Sequence, residues 1–133
     1  IEGFVALRRA LELRGSAVRL VADEWCDTLA DVREYALHRG AHMLQIKMPD
    51  MGSIADSAEA VLHCRASGLA AYLGGSCAET DLSARYSVHV GLAMRPEMLL
   101  AKPGMGVDEA LSIVGNEQAR TLAQISARTR QRS

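Results

Sequence analysis

Val18-Arg19-Leu20-Val21-Ala22-Asp23-Glu24-Trp25 is the stretch on which the fold turns. Its apolar, β-branched start reads as a short buried strand. Two carboxylates and a tryptophan come directly after it, whereas a doubly wound nucleotide-binding sheet would normally show a GxGxxG turn there. Three more runs of the same kind come later, His42 to Lys47, Leu69 to Gly74 and Met98 to Ala101, with starts 24, 27 and 29 residues apart. Around them the apolar period becomes helical: Phe4, Leu7 and Leu11; Leu29, Val32 and Ala36; Ile54, Ala58, Val61 and Leu62; Leu82, Tyr86, Val90 and Ala93; Val107, Leu111, Val114, Gln118, Leu122 and Ile125. Ser53 is placed as an N-cap, Gly15, Gly40 and Gly68 as helix stops, and Asp108 and Glu109 in the first turn of the last helix. The order αβαβαβαβα is that of an α/β protein with four parallel strands alternating with helices. Four such units make about half of an eight-stranded TIM-type barrel of about 250 residues. An open four-stranded sheet is the competing architecture. A half barrel would leave two strand edges and apolar surface uncovered.

Length and charge narrow the function. The chain has 133 residues, 49% of them apolar, enough for one core. Fifteen basic against sixteen acidic residues leave a net charge of −1, so neither nucleic acid nor an anionic membrane is an expected partner. Apolar runs such as Leu69 to Leu73 fall far short of the roughly 18 residues a membrane span needs. Cys26, Cys64 and Cys77 form no CxxC pair, which suits a reducing compartment, and the expected location is the cytoplasm. A start at Ile1, with a helix-like run and no basic n-region behind it, reads as cut.

A parallel sheet of this kind carries its chemistry at the C-terminal ends of its strands, and the polar residues collect there. Thirteen arginines but only two lysines occur, Lys47 and Lys102. A desolvated lysine beside other cations can become a neutral general base, which arginine cannot. The alternative is that Lys47 is an accidental survivor at the rim. Asp23 or Glu24 could offer oxygen to a hard cation such as Mg²⁺, though strand alternation lets at most one of them point inward, and a helix cap or solvated charge is the plainer reading. Gly74-Gly75-Ser76-Cys77-Ala78-Glu79-Thr80 is a strand-to-helix turn whose backbone N–H groups suit a bound carboxylate. Cys77 as a nucleophile would need a base, and His38, His42, His63 and His89 are placed away from the rim. Pro103-Gly104-Met105-Gly106 lacks the ending of a phosphate loop and reads as a tight turn. His38 and His42 read as a helix end and a strand start, and Arg128, Arg130 and Arg132 as a solvated helix end.

Four runs together resemble one family. Val21-Ala22-Asp23-Glu24-Trp25-Cys26, Gln45-Ile46-Lys47-Met48-Pro49-Asp50, Gly74 to Thr80 and Leu100-Ala101-Lys102-Pro103-Gly104-Met105-Gly106-Val107-Asp108-Glu109 resemble, in order and spacing, the C-terminal part of methylaspartate ammonia-lyase, an enolase-superfamily enzyme. The resemblance implies that residues 1–133 are the C-terminal half of a TIM-type barrel domain, incomplete without its upstream strands and capping domain. It implies Mg²⁺-dependent elimination of ammonia from L-threo-3-methylaspartate to give mesaconate, within glutamate degradation. Asp23 matches the last of three acidic Mg²⁺ ligands and Lys47 the general base. Gln45, Ser76 and Cys77 match residues that hold the substrate's carboxylates, and Leu100 and Met105 match residues lining its pocket. The family's other two ligands and an earlier-strand His have no counterpart among these residues. Met48, Ser76 and Ala78 stand where the family usually has Thr, Thr and Asn, and the last change takes away a loop hydrogen bond. K⁺ is a candidate second ion, the partners implied are a small amino-acid substrate and the missing barrel half, and a homodimer is expected of the complete enzyme. The chain alone is expected to be inactive. Alternatives are another enolase-superfamily reaction, an acid-sugar dehydratase or racemase, on the same Asp23 and Lys47, or a non-catalytic half-barrel interaction module.

Overall fold

The computed structural model describes residues 1–100, 102 and 104–131. Ala101, Pro103 and Arg132, used in the sequence reading, lie outside the described residues. The chain runs α1 (Glu2–Leu13), β1 (Val21–Ala22), α2 (Leu29–His38), β2 (Met43–Ile46), α3 (Met48–Met51), α4 (Ile54–Ala66), β3 (Ala70–Leu73), α5 (Asp81–Met94), β4 (Met98–Leu99) and α6 (Val107–Arg130). The strands lie in the order β1-β2-β3-β4, all parallel. A doubly wound sheet reverses its order part-way, so consecutive neighbours settle the topology in favour of barrel-type winding.

Register shows which face is buried. Ala22, Leu44 and Ala71 form one row across the sheet, and Ile46, Leu73 and Leu99 the next. Both rows pack in one core with Val32, Tyr35 and Ala36 of α2, Ala60, Val61 and Cys64 of α4, and Val90 of α5. Burying Leu44, Ile46 and Leu73 contributes about 1.5–3 kcal/mol each. The alternate rows, Val21–Met43–Ala70 and Gln45–Tyr72–Met98, face the other way, and half of Met98 is exposed. Helices on one face, and an opposite face where Met43 and Gln45 are buried but Val21, Ala70, Tyr72 and Met98 are partly open, are what half of a barrel wall presents. Just before the first and last strands, Arg19 and Glu97 form a two-pronged ion pair, with Nη2 and Oε2 2.9 Å apart.

Local signals explain most element ends. Ser53 accepts from the Asp56 N–H at 2.9 Å, as its position predicts, and Thr28 and Thr80 add two capping boxes. Gly15 and Gly68 take the left-handed conformation of helix stops. Gly40 does not: Arg39 takes that conformation, and Gly40 is required because a Cβ there would come within 2.9 Å of the Tyr35 ring. His38 closes α2, and His42 precedes β2, its Nδ1 accepting from the Leu20 N–H at 2.8 Å. Val18 is exposed and outside β1, which is shorter than the sequence run because an edge strand is paired on one side only. The apolar stripe expected to bury α6 is another correction. Val107, Leu111, Leu122 and Ile125 are exposed, and α6 instead buries Ala110 and Glu117. Ion pairs, not the stripe, set its rotation: Glu117 engages Arg85 (3.2 Å) and His89 (2.6 Å) of α5 and Arg120 of α6.

Candidate active site

That opposite face continues past the strand ends into Asp23, Lys47, Gly74 and Leu100, because alternation carries each strand's inward set onto the rim. Lys47 lies between β2 and α3 as the N-cap of α3, whose Pro49 stands in the first turn. Its side chain is only 7% exposed, yet four carboxylates surround Nζ: Asp23 Oδ1 at 3.2 Å, Asp27 Oδ1 at 3.3 Å, Glu24 Oε2 at 3.5 Å and Asp50 Oδ2 at 3.7 Å. Asp23 and Glu24 both reach it, against the alternation argument. The strand has already ended at Ala22, and Trp25 turns the chain through φ +67°. That tryptophan is 80% exposed, so the left-handed backbone is held by its neighbours rather than by burial of the ring.

The charge balance around Lys47 has one clear direction. Burial works to lower its pKa, but the contacts with Asp23 and Asp27 outweigh it and raise the amine above its ordinary value. The carboxylates around Nζ favour the ammonium form of Lys47 in the chain by itself, against the one sequence reading in which desolvation beside other cations makes it a neutral base. Asp27 Oδ1 is buried without a well-formed hydrogen bond and is compensated by the lysine charge. Among the described residues no group of three or more His, Cys, Asp or Glu side chains stands together as a metal-ligand set. The carboxylates are gathered about the ammonium.

Beside this cluster, Gln45 is 4% exposed, and its Oε1 accepts from the Tyr72 hydroxyl. That leaves the amide NH₂ as the outward donor, 3.5 Å from the Gly75 carbonyl. A Cβ on Gly74 would overlap the Gln45 side chain, so the glycine is what lets the amide lie against the turn. Burial raises the Tyr72 hydroxyl pKa, with Asp23 adding to the shift. In the turn itself Ser76 is half-buried and Cys77 exposed. Ser76 Oγ accepts from the Ala78 N–H at 3.1 Å, which supplies a local loop bond with alanine at position 78. Leu100 is 40% exposed and joined to Leu73 by a 2.8 Å backbone bond, and Met105 is half-buried with its N–H on the Lys102 carbonyl at 3.1 Å.

Sequence reasoning missed several participants. Asp27 comes near Lys47 after the left-handed turn at Trp25, which has no spacing signature, whereas Asp50 lies at i+3 from Lys47 within the first turn of α3, a spacing the sequence did offer. Tyr72 was read only as part of a strand, although its register opposite Gln45 was available from the pattern. Lys102 and Glu79, distant in sequence, meet in the interior.

Known proteins share this sequence and fold. The family model for the methylaspartate ammonia-lyase C-terminus matches residues 1–127. The chain belongs to that family. It is 52% identical over 128 residues to methylaspartate ammonia-lyase 2 of Carboxydothermus hydrogenoformans, covering 96% of this chain and 31% of the relative. The crystal structure of the Citrobacter amalonaticus methylaspartate ammonia-lyase containing (2S,3S)-3-methylaspartic acid superimposes with a TM-score of 0.90 at 48% identity, over 95% of this chain and 31% of that one. The Mg-complex of β-methylaspartase from Clostridium tetanomorphum gives 0.88 at 46% identity, over 96% of this chain and 31% of that one. The chain thus spans about 31% of the length of the family members it matches. No helix among the described residues is long and apolar enough to cross a membrane.

Proposed function

We propose that this chain is the C-terminal catalytic segment of a methylaspartate ammonia-lyase, residues 1–133 forming part of a barrel domain whose upstream strands and capping domain lie in the same or another chain. The observation that carries the reading is the 3.2 Å approach of Lys47 Nζ to Asp23 Oδ1 at the strand ends, on a chain 52% identical to such a lyase. The whole enzyme removes ammonia from L-threo-3-methylaspartate and releases mesaconate.

The donor chemistry fits Mg²⁺. Asp23, Glu24, Asp27 and Asp50 are hard oxygen donors carrying more negative charge than one ammonium neutralises. Asp23 would supply one ligand, and the rest of the set would come from upstream strands. When bound, Mg²⁺ draws electron density from the substrate carboxylate beside C3 and so acidifies the C3 proton.

The chain's own residues do the rest. Asp23 would be shared between the cation and Nζ, and Lys47 would act in its neutral form. Neutral Nζ then takes the proton from C3, and arginine could not do so. Gln45, oriented by Tyr72, donates its amide hydrogens to a substrate carboxylate, and Ser76 and Cys77 hold the other through the turn. Leu100 and Met105 shape the apolar wall beside the methyl and amino groups. As the C2–N bond breaks, its electrons leave with ammonia and those of the former C3–H bond form the new double bond. K⁺ as a second ion, a homodimer of the complete enzyme and a cytoplasmic location belong to the same reading, and three unpaired thiols support the last.

The test combines the chain with its upstream portion, Mg²⁺ and 3-methylaspartate, and follows the ultraviolet absorbance of the conjugated product. Absorbance should rise with the unaltered chain and stay flat with Lys47→Arg. A rise unaffected by that change contradicts the reading, and turnover of an acid sugar or racemisation instead would move it to another enolase-superfamily reaction.

A further inference from the structure

The second lysine lies behind the carboxylate-holding turn rather than at its mouth. Lys102 is 1% exposed, and its Nζ donates to the Gly74 carbonyl at 2.7 Å. Glu79 Oε1 lies 3.9 Å from the same Nζ, with neither side chain open to solvent. Glu79 in turn accepts from the Ser76 N–H at 3.4 Å through Oε1 and from the Ser83 hydroxyl through Oε2. On the far side Gly104 presses on the same turn, where a Cβ would come within 2.7 Å of the Ser76 carbonyl oxygen. Residues 74–77 are thus bonded at their first carbonyl and at the Ser76 N–H, and closely backed by Gly104 at the Ser76 C=O.

A buried ion pair is a weak way to gain stability, because desolvating two charges offsets much of their attraction. What such a pair supplies is direction. The ammonium accommodates one carbonyl and one carboxylate, and the larger guanidinium, with five donors to satisfy, would not fit a closed pocket of this kind. Lysine here, in a chain with thirteen arginines and one other lysine, follows from the compactness of the site.

We infer that Lys102 and Glu79 are positioning residues, a buried clasp that fixes the backbone of Gly74 to Cys77 in the shape that receives the substrate carboxylate. The clasp touches no reacting atom, and its catalytic consequence rests on the lyase reading above.

The experiment compares Lys102→Met, Glu79→Leu and the double variant in the chain joined to its upstream portion, by thermal melting, amide hydrogen exchange at residues 76–78 and steady-state kinetics. Lys102→Met leaves Glu79 uncompensated and lowers the melting temperature. The double variant removes both charges at similar volume and restores it. If the pair positions the turn, the double variant still exchanges its 76–78 amides faster and raises KM for 3-methylaspartate, each by about tenfold, the size of one lost charge-assisted hydrogen bond, with kcat nearly unchanged. If melting, exchange and KM all recover together, the pair is structural and the inference is overturned. Should the unaltered enzyme not turn over 3-methylaspartate, the lyase reading fails, while the exchange rates still decide the clasp.

Discussion

Lys47 follows β2 and Lys102 follows β4, on either side of β3, and the two are treated in opposite ways. Lys47 faces four carboxylates on the side of the rim that is open, and its pKa is raised despite burial. Lys102 faces one carboxylate and one carbonyl in a closed pocket, and burial lowers its pKa while Glu79 pulls the other way. Burial alone therefore does not say what a lysine does. A buried lysine with an excess of anions around it is a place where a second cation can enter. A buried lysine matched to its anion is complete and can only hold its surroundings in place.

Four substitutions would break or sharpen that contrast. The largest effect belongs to Lys47→Arg, which keeps the charge and removes the base that the proposed function assigns to this position. Elimination by the assembled enzyme should fall about 10²- to 10⁴-fold in an absorbance assay, with the melting temperature little changed. Next comes Lys102→Met, expected to destabilise by about 3–5 kcal/mol in urea denaturation because it strands a buried carboxylate. The equivalent loss at position 47 should be smaller, since its carboxylates are partly exposed. Gly104→Ala should cost about 1–3 kcal/mol in the same experiment, the added methyl meeting backbone that cannot swing away. Last is Glu117, buried and engaged by Arg85 and His89 of α5 and Arg120 of α6. Hydrogen bonds from Arg120 and His89 hold its carboxyl down at about 2 against an ordinary 4.5. A depressed folded pKa means stability that is complete above pH 4.5 and lost as the pH falls toward 2. Glu117→Gln should flatten that acid slope of the melting temperature while leaving elimination unaffected.

The thiols give the alkaline counterpart. Burial pushes Cys26 and Cys64 up to about 12 from an ordinary 9. As the pH rises from 9 toward 12 the unfolded chain ionises them first, so stability declines over that window.

The winding of the sheet was legible because Val18, His42, Leu69 and Met98 begin apolar runs at even spacing, and because Asp23-Glu24-Trp25 cannot form a nucleotide-binding turn. Asp23, Gln45 and Lys47 were brought together by the family resemblance, and alternation along β2 is consistent with Gln45 and Lys47 sharing one face. Less could be read where the chain changes direction. The left-handed backbone at Trp25 and the short α3 after Lys47 decide which carboxylates surround the amine, and both depend on packing. The Lys102–Glu79 pair was hidden because the two residues are joined only by the approach of two turns. The rotation of α6 was misread because its apolar stripe is more regular than its buried face, which an ion-pair network fixes.

The central claim is that Asp23 and Lys47 act on one small molecule as a unit, and the most direct measurement is a double-mutant cycle in kcat for elimination, using Asp23→Asn, Lys47→Met and both together in the assembled, Mg²⁺-supplied enzyme. Each single change should cut kcat about 10²- to 10⁴-fold, and the pair should lose little more than the worse single. Losses that multiply independently, or a Lys47→Met enzyme that still eliminates ammonia at the original rate, would contradict it.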